Sequence, residues 1–348
     1  MAAALKSSIE ELVAKIADKK EGQAALEKLG QIAKDEGRKA ECFLVDALPK
    51  IIDAANDKSK NVVDAAKATA GAVMDMASPF AIERMMPALL AGLGVKAKPP
   101  QKELTLNLIM KFAGRAPKAM GYALVTLVGP VADLTCDIKK EVKAAAVECM
   151  TAICNCTGNK DLEPFLPFVV MAAQSLSHTH ACVEKLAGCI FVQNVETPAL
   201  AATLPVLSRG LNDKSEEVKR TCCQIVDNMC KLVEDPNDVL PLMPRLEPLV
   251  KAATEKISDP EARSMAEKAY KTLSKAAGDG SASESKKVTG EDALAIFKTA
   301  LGDKASGADF DALGAHFAGL AAGATNMGEF DAALWKSEIG SSAPFTAV

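Results

Sequence analysis

The sequence predicts an all-α solenoid, a superhelix of antiparallel helix pairs followed by a small helical segment. Three observations carry that prediction. The 348 residues include only 11 Phe, two Tyr and one Trp, too few aromatics for an ordinary β-sandwich or barrel, while good helix formers abound. Prolines recur at Pro49, Pro87, Pro130, Pro167, Pro205 and Pro244, with spacings of 38, 43, 37, 38 and 39 residues, and a fixed period of that length is the signature of a stacked repeat. Between the prolines, apolar residues fall at offsets 0, +4, +7 and +11, one stripe of an α-helix.

In chain order, Leu5, Ile9, Leu12 and Ile16, then Ala25, Leu29 and Ala33, mark two amphipathic helices that cap the open end of the array. Each periodic proline lies in or beside an apolar stretch (LPKIIDAA, MPALLAGL, VGPVADLT, LPFVVMAA, LPVLSRGL, MPRLEPLV). There it removes a backbone donor from the first helix of a pair and bends or opens it. Second helices carry the stripes Val62/Ala66/Thr69/Val73, Val142/Ala146/Cys149/Ile153, Val218/Cys222/Ile225/Met229 and Ala262/Ala266/Ala269/Leu273. Asp57, Asp137 and Asp213 precede three of them by five residues, placed for a turn or N-cap, and Asp259-Pro260 opens the fourth. The Pro87 repeat has AKPPQKELT in place of the Asp turn, so its second helix (Thr105, Ile109, Phe112) is expected to enter differently.

These features divide the chain into an array with capping helices (1–273), a Gly/Ser/Lys-rich linker (274–290) and a short helical segment, a partial bundle with a fraying tail (291–348). Helical candidates in the last part are Glu291–Leu301, Asp309–Ala322 and Phe330–Trp335. Residues 274–348 hold six basic and ten acidic groups, so the net charge of −4 belongs to that end and the array is balanced. A balanced array is not a generic nucleic-acid coat, and no DNA partner is expected. The N-terminal stretch has no apolar core of signal-peptide length, and no apolar run approaches a membrane span, so a cytoplasmic protein without a membrane partner is expected.

Catalytic constellations are scarce. No Gly-Lys dipeptide exists, which excludes the P-loop GxxxxGK[ST], and neither GxSxG nor HExxH occurs. Cys154/Cys156 and His178/His180/Cys182 lack the spacing of a zinc site, and the ten cysteines, in a chain without a secretion signal, read as mostly buried thiols. His180 beside Cys182 is the one conceivable nucleophile and base, but neighbours at that spacing on a helix face different ways. No enzyme, metal or cofactor is expected. What remains is surface: Lys139, Lys140 and Lys143 recur two repeats later as Lys214, Lys219 and Arg220, and Arg263 continues the series. Aligned along a solenoid, these cations form a ridge for phosphates or an acidic protein face. The alternative is a solvated face neutralised by Glu141, Glu216 and Glu217.

Proline in the first helix, Asp in the turn and Val-Lys in the second helix (Val142-Lys143, Val218-Lys219) is the pattern of HEAT repeats. At these residues the sequence resembles fungal-type translation elongation factor 3, most closely in DIKKEVKAAAVECMTAI (137–153), in 183–236 with its run VDNMCKLVEDP, and in ISDPEARSMAEKAYKTL (257–273). SPFAIERMMPALLAGL (78–93) is a looser match, and AHFAGLAAGATNMGEFDAALW (315–335) is similar to part of the helical bundle that follows the family's array. The resemblance implies a scaffold docking on the ribosome, both ribosomal RNA and proteins, with further protein partners through the solenoid surface. The family's two ATP-binding cassettes have no counterpart in these residues, so ATPase activity is not implied. Rival readings are the scaffold of a translational activator of a starvation kinase and a generic HEAT adaptor.

Overall fold

The structure, a computed structural model, describes residues 2–278. The helical candidates after Glu291, and with them the 315–335 stretch, lie outside the described residues. Fourteen α-helices pair in sequence among the described residues: α1 (Ala2–Lys15) with α2 (Gly22–Glu36), α3 (Glu41–Ala54) with α4 (Lys60–Met76), α5 (Ala81–Leu93) with α6 (Pro99–Arg115), α7 (Pro117–Leu134) with α8 (Lys140–Cys154), α9 (Leu166–Gln174) with α10 (Thr179–Ala187), α11 (Thr197–Leu211) with α12 (Glu216–Cys230), and α13 (Met243–Lys256) with α14 (Pro260–Ala276). No strand is present among these residues. The first helix of each pair forms one layer and the second the other. In the second layer α4 packs between α2 and α6, α8 packs on α6, and α12 packs between α10 and α14.

The stripes read from the sequence are the seam between layers. Val62, Ala66, Thr69, Val73, Val142, Ala146, Cys149, Ile153, Cys222, Ile225, Met229, Ala262, Ala266, Ala269 and Leu273 are all buried, and Val218 is half-buried. Such stripes bury only when repeats stack, and the core is accordingly continuous from Ile9 to Leu273. Small residues let the layers approach: a Cβ on Gly92 of α5 would collide with the Thr105 hydroxyl of α6, and one on Gly210 of α11 with the Cys222 thiol of α12. Pro49, Pro87, Pro130 and Pro205 lie inside first helices, whereas Pro167 and Pro244 sit in a first turn, where no backbone donor is needed.

The Pro87 repeat enters its second helix differently, as its sequence suggests, with Pro99, Pro100 and Gln101 at the helix start in place of the Asp turn, and α6 still stacks between α4 and α8. Its missing Asp is replaced by Gln101, whose side-chain oxygen accepts the Lys98 N–H at 2.9 Å while its amide donates to Asp53 at 2.7 Å. The irregular repeat is the fifth: α9 and α10 have nine residues each, beside 18 in α7 and 15 in α11. A nine-residue helix cannot cover α7, so α11 packs directly on it. Gly121 of α7 permits this contact, since a Cβ there would stand 2.7 Å from the Cys156 carbonyl oxygen and 3.1 Å from Pro198.

Candidate docking surface

Within each pair, a short turn joins the first helix to the second, and these turns line one edge of the array. Asp57, Asp137 and Asp213 each fold their turn by accepting the N–H of the residue two places on, Ser59 at 2.7 Å, Lys139 at 2.9 Å and Ser215 at 2.8 Å. These are Asx turns, which leave the carboxylate just outside the helix it introduces. Asp259 is a true N-cap, accepting the Ala262 N–H at 2.8 Å. The backbone donors, with the Lys102 ammonium for Asp137 and His180 for Asp213, hold both carboxyls below their ordinary range.

All seven cations singled out in the sequence lie on or next to this edge, at the starts of α8, α12 and α14. Lys139, Lys140, Lys143, Lys214, Arg220 and Arg263 are exposed and Lys219 is half-buried. Two of them are engaged within the fold. Arg220 pairs with Glu261 at 2.9 Å, tying α12 to α14, and Arg263 donates to the carbonyls of Ile257 and Ser258 at 2.9 and 3.3 Å. Among the described residues the five lysines join no ion pair. Of the neutralising glutamates, Glu216 accepts the N–H groups of Ser258 and Asp259 at 2.8 and 3.1 Å, which keeps its carboxyl low. Glu141 and Glu217 are exposed.

The other residues weighed for chemistry are held apart. Cys182 is buried in the core, while His180 points outward to Asp213 at 2.9 Å. His178 faces the Met171 carbonyl at 3.3 Å. Burial pushes the Cys154 and Cys182 thiols up to about 12 and Cys156 to about 11, so they are protonated and inert at neutral pH. Cys42 and Cys136 are exposed, unlike the other eight. No group of three or more metal-ligating side chains converges among the described residues. A cavity of ≈570 Å³ opens between the starts of α7 and α11, lined by Tyr122, Asn159, Gln193, Asn194 and Glu196 among others.

In VDNMCKLVEDP, Asp227 is only 1% exposed. Burial alone would raise its pKa, but hydrogen bonds from Lys231 and Thr272 and the charges of Lys231 and Lys268 outweigh that and hold it down. This buried carboxylate fastens α12 to α14. The i,i+4 spacing of Asp227 and Lys231 was its only signal in the sequence.

Stacked helix pairs with periodic prolines, Asx turns and no convergent catalytic groups among the described residues define the class as a HEAT-repeat solenoid. Residues 2–150 match the EF3 N-terminal HEAT repeat family and residues 178–284 the Elongation factor 3/GNC1 HEAT repeat family; the chain belongs to the elongation factor 3 HEAT-repeat family. Elongation factor 3 of Phytophthora infestans is 37% identical over 246 residues, 71% of this chain and 24% of that protein. Elongation factor 3A of Saccharomyces cerevisiae is 32% identical over 265 residues, 76% of this chain and 25% of its own. The mRNA export factor elf1 of Schizosaccharomyces pombe is 33% identical over 257 residues, covering 73% and 24%. The chain thus spans about a quarter of the length of the curated relatives it matches. Among solved structures, a designed armadillo repeat protein is similar at 20% identity and a TM-score of 0.29, covering 77% of this chain and 99% of its own.

Proposed function

We propose that the array is a ribosome-docking scaffold of elongation factor 3 type, acting in the cytoplasm and performing no catalysis itself. The observation that carries this reading is the coincidence of family and surface: repeats matched by elongation factor 3 models present Lys139, Lys140, Lys143, Lys214 and Lys219 without ion-pair partners among the described residues, along one edge of a rigid stack. Arg220 and Arg263 border this patch and hold its turns in place. Lysines that meet phosphates release counterions, so docking on ribosomal RNA weakens steeply with salt. With a balanced array charge, fit of shape has to supply the rest, through contacts with ribosomal proteins.

Co-sedimentation with ribosomes across a salt series tests the reading. The full chain is expected to sediment at low salt and be released as salt rises. The variant Lys139→Glu/Lys140→Glu/Lys143→Glu is expected to sediment less at every salt concentration while keeping its fold. Equal sedimentation of that folded variant removes the lysine ridge, and failure of the parent chain to sediment at low salt removes ribosome docking. The joint description of residues 178–284 as Elongation factor 3/GNC1 supports a second reading, the scaffold of a translational activator. Reading the transcript beyond the codon for Val348 separates the two, because ATP-binding cassettes mark the elongation factor.

A further inference from the structure

The edge that carries the lysines also carries three large apolar residues where a turn needs polar ones. Val95 is 100% exposed, Ile138 97% and Leu176 72%, and they occupy the turns α5–α6, α7–α8 and α9–α10, three in succession. An isolated exposed apolar residue needs no explanation; a row at matching places in consecutive repeats does. Cations accompany the row: Lys96 and Lys98 beside Val95, Lys139 and Lys140 beside Ile138, and Lys58 one turn earlier, all exposed. The acids nearby are largely occupied. Asp57 folds its own turn, Asp137 is half-buried and paired with Lys102 at 2.9 Å, and Glu141 is exposed.

The row is also stiff. Gln101 bonds Asp53 at 2.7 Å, Lys102 bonds Asp137 at 2.9 Å, and the Thr135 hydroxyl donates to the Ala173 carbonyl at 2.9 Å, so each turn is fastened to the next. A partner that docks here orders little of this surface on binding, which favours affinity. Neighbouring packed helices lie about 8–10 Å apart, and seven residues of an α-helix rise about 10 Å. Apolar residues at i, i+7 and i+14 of a partner helix laid across the turns recur at about that interval.

We infer that the turns holding Val95, Ile138 and Leu176, with Lys96, Lys98, Lys139 and Lys140, form a docking row for an amphipathic helix with acidic flanks on a partner protein. Charge complementarity selects the occupant: the flanking cations favour Glu or Asp beside the partner's apolar stripe, and the apolar residues add what phosphate contacts cannot. The inference goes beyond ribosome docking. Its assay contains no ribosome, so the two readings fail independently, although Lys139 and Lys140 serve both.

The test uses the full chain and a fluorescein-labelled synthetic helical peptide with Leu at i, i+7 and i+14 and Glu beside each Leu. Anisotropy is expected to show binding that weakens at least about tenfold with Val95→Ser/Ile138→Ser/Leu176→Ser, and that is weakened also by Lys96→Glu/Lys140→Glu. It should persist with Ile190→Ser, an exposed apolar residue in the connection between α10 and α11. The same peptide with Lys for Glu should not bind. Circular dichroism confirms that the variants fold. Absence of peptide binding to the parent chain, or binding unchanged in the triple serine variant, overturns the inference. So does a parent chain that ignores the peptide but loses affinity for phosphatidylserine vesicles or a single-stranded RNA when the three residues become serine.

Discussion

The second helices α4, α6 and α8 and the short pair α9–α10 meet the same requirement by different means. In the first group, helices of 15–17 residues carry full apolar stripes, and each packs on the next. The short pair buries less, and the connections around it supply polar bonds instead. The Asp161 carboxylate accepts the N–H groups of Val192 and Gln193 at 2.7 Å each, the Lys160 N–H donates to the Gln193 side chain at 2.8 Å, and the Asn159 amide donates to the Asn194 carbonyl at 3.3 Å. Meanwhile α11 reaches past α9 to α7. A linear array needs every repeat to bury its neighbours, and this one keeps continuity across a short repeat by bridging past α9 within the layer of first helices.

The largest expected effect breaks the ladder itself. Ile225→Asp places an unpaired charge in the seam between α11 and α12 and should cost about 3–5 kcal/mol, read as a lower urea midpoint. An unchanged midpoint would contradict the stacked stripe. Next comes Gly210→Val, which forces a branched side chain against Cys222 where the layers meet closely; a loss of about 1–3 kcal/mol is expected, and a neutral result would show that the layers slide apart freely. Asp227→Asn should also lower stability, by about 1–3 kcal/mol, by weakening the bonds that join α12 to α14.

Asp161 sharpens the comparison on the side of the short pair. The N–H groups of Gln193 and Val192 hold its pKa below the ordinary carboxylate value. A depressed folded pKa means that its contribution is fully present above the unfolded value, about 3.9, and is lost as pH falls through the folded value. Hydrogen-exchange protection factors of residues 188–196 should therefore fall in acid, and Asp161→Asn should produce the same fall at neutral pH while α12 keeps its protection. Equal loss of protection in both places would mean that the short pair is not separately held. The smallest effect belongs to Lys139→Glu/Lys140→Glu/Lys143→Glu, where thermal stability should move by less than about 0.5 kcal/mol.

The sequence made the regular part legible because stripe, turn and proline are local signals. Val142, Ala146, Cys149 and Ile153 show their helix face by spacing alone, and Asp137 shows the turn by residue type. The short fifth repeat stayed hidden for a physical reason. Pro130, Pro167 and Pro205 keep a regular spacing, and spacing measures how much chain a repeat uses, not how much of it is helix. The connection 155–165 takes residues that neighbouring repeats spend on helix, which leaves Pro167 in the first turn of α9. At AKPPQKELT the missing Asp does signal a different entry, with Gln101 accepting the Lys98 N–H from the first turn of α6. On the turn edge, the positions of the seven cations were legible. The pairing of Arg220 with Glu261 and the folding of Arg263 onto its own turn were not, because both partners lie far along the chain or in the backbone.

Lysine footprinting tests the central claim most directly. The full chain is treated with an amine-acetylating reagent, free and bound to ribosomes at low salt, and each lysine's modification is read by mass spectrometry. Docking through the turn edge predicts that Lys139, Lys140, Lys143, Lys214 and Lys219 become protected in the complex while Lys6 and Lys28, on the capping helices, stay as reactive as in the free chain. Protection of the capping-helix lysines with no change at those five would contradict the account.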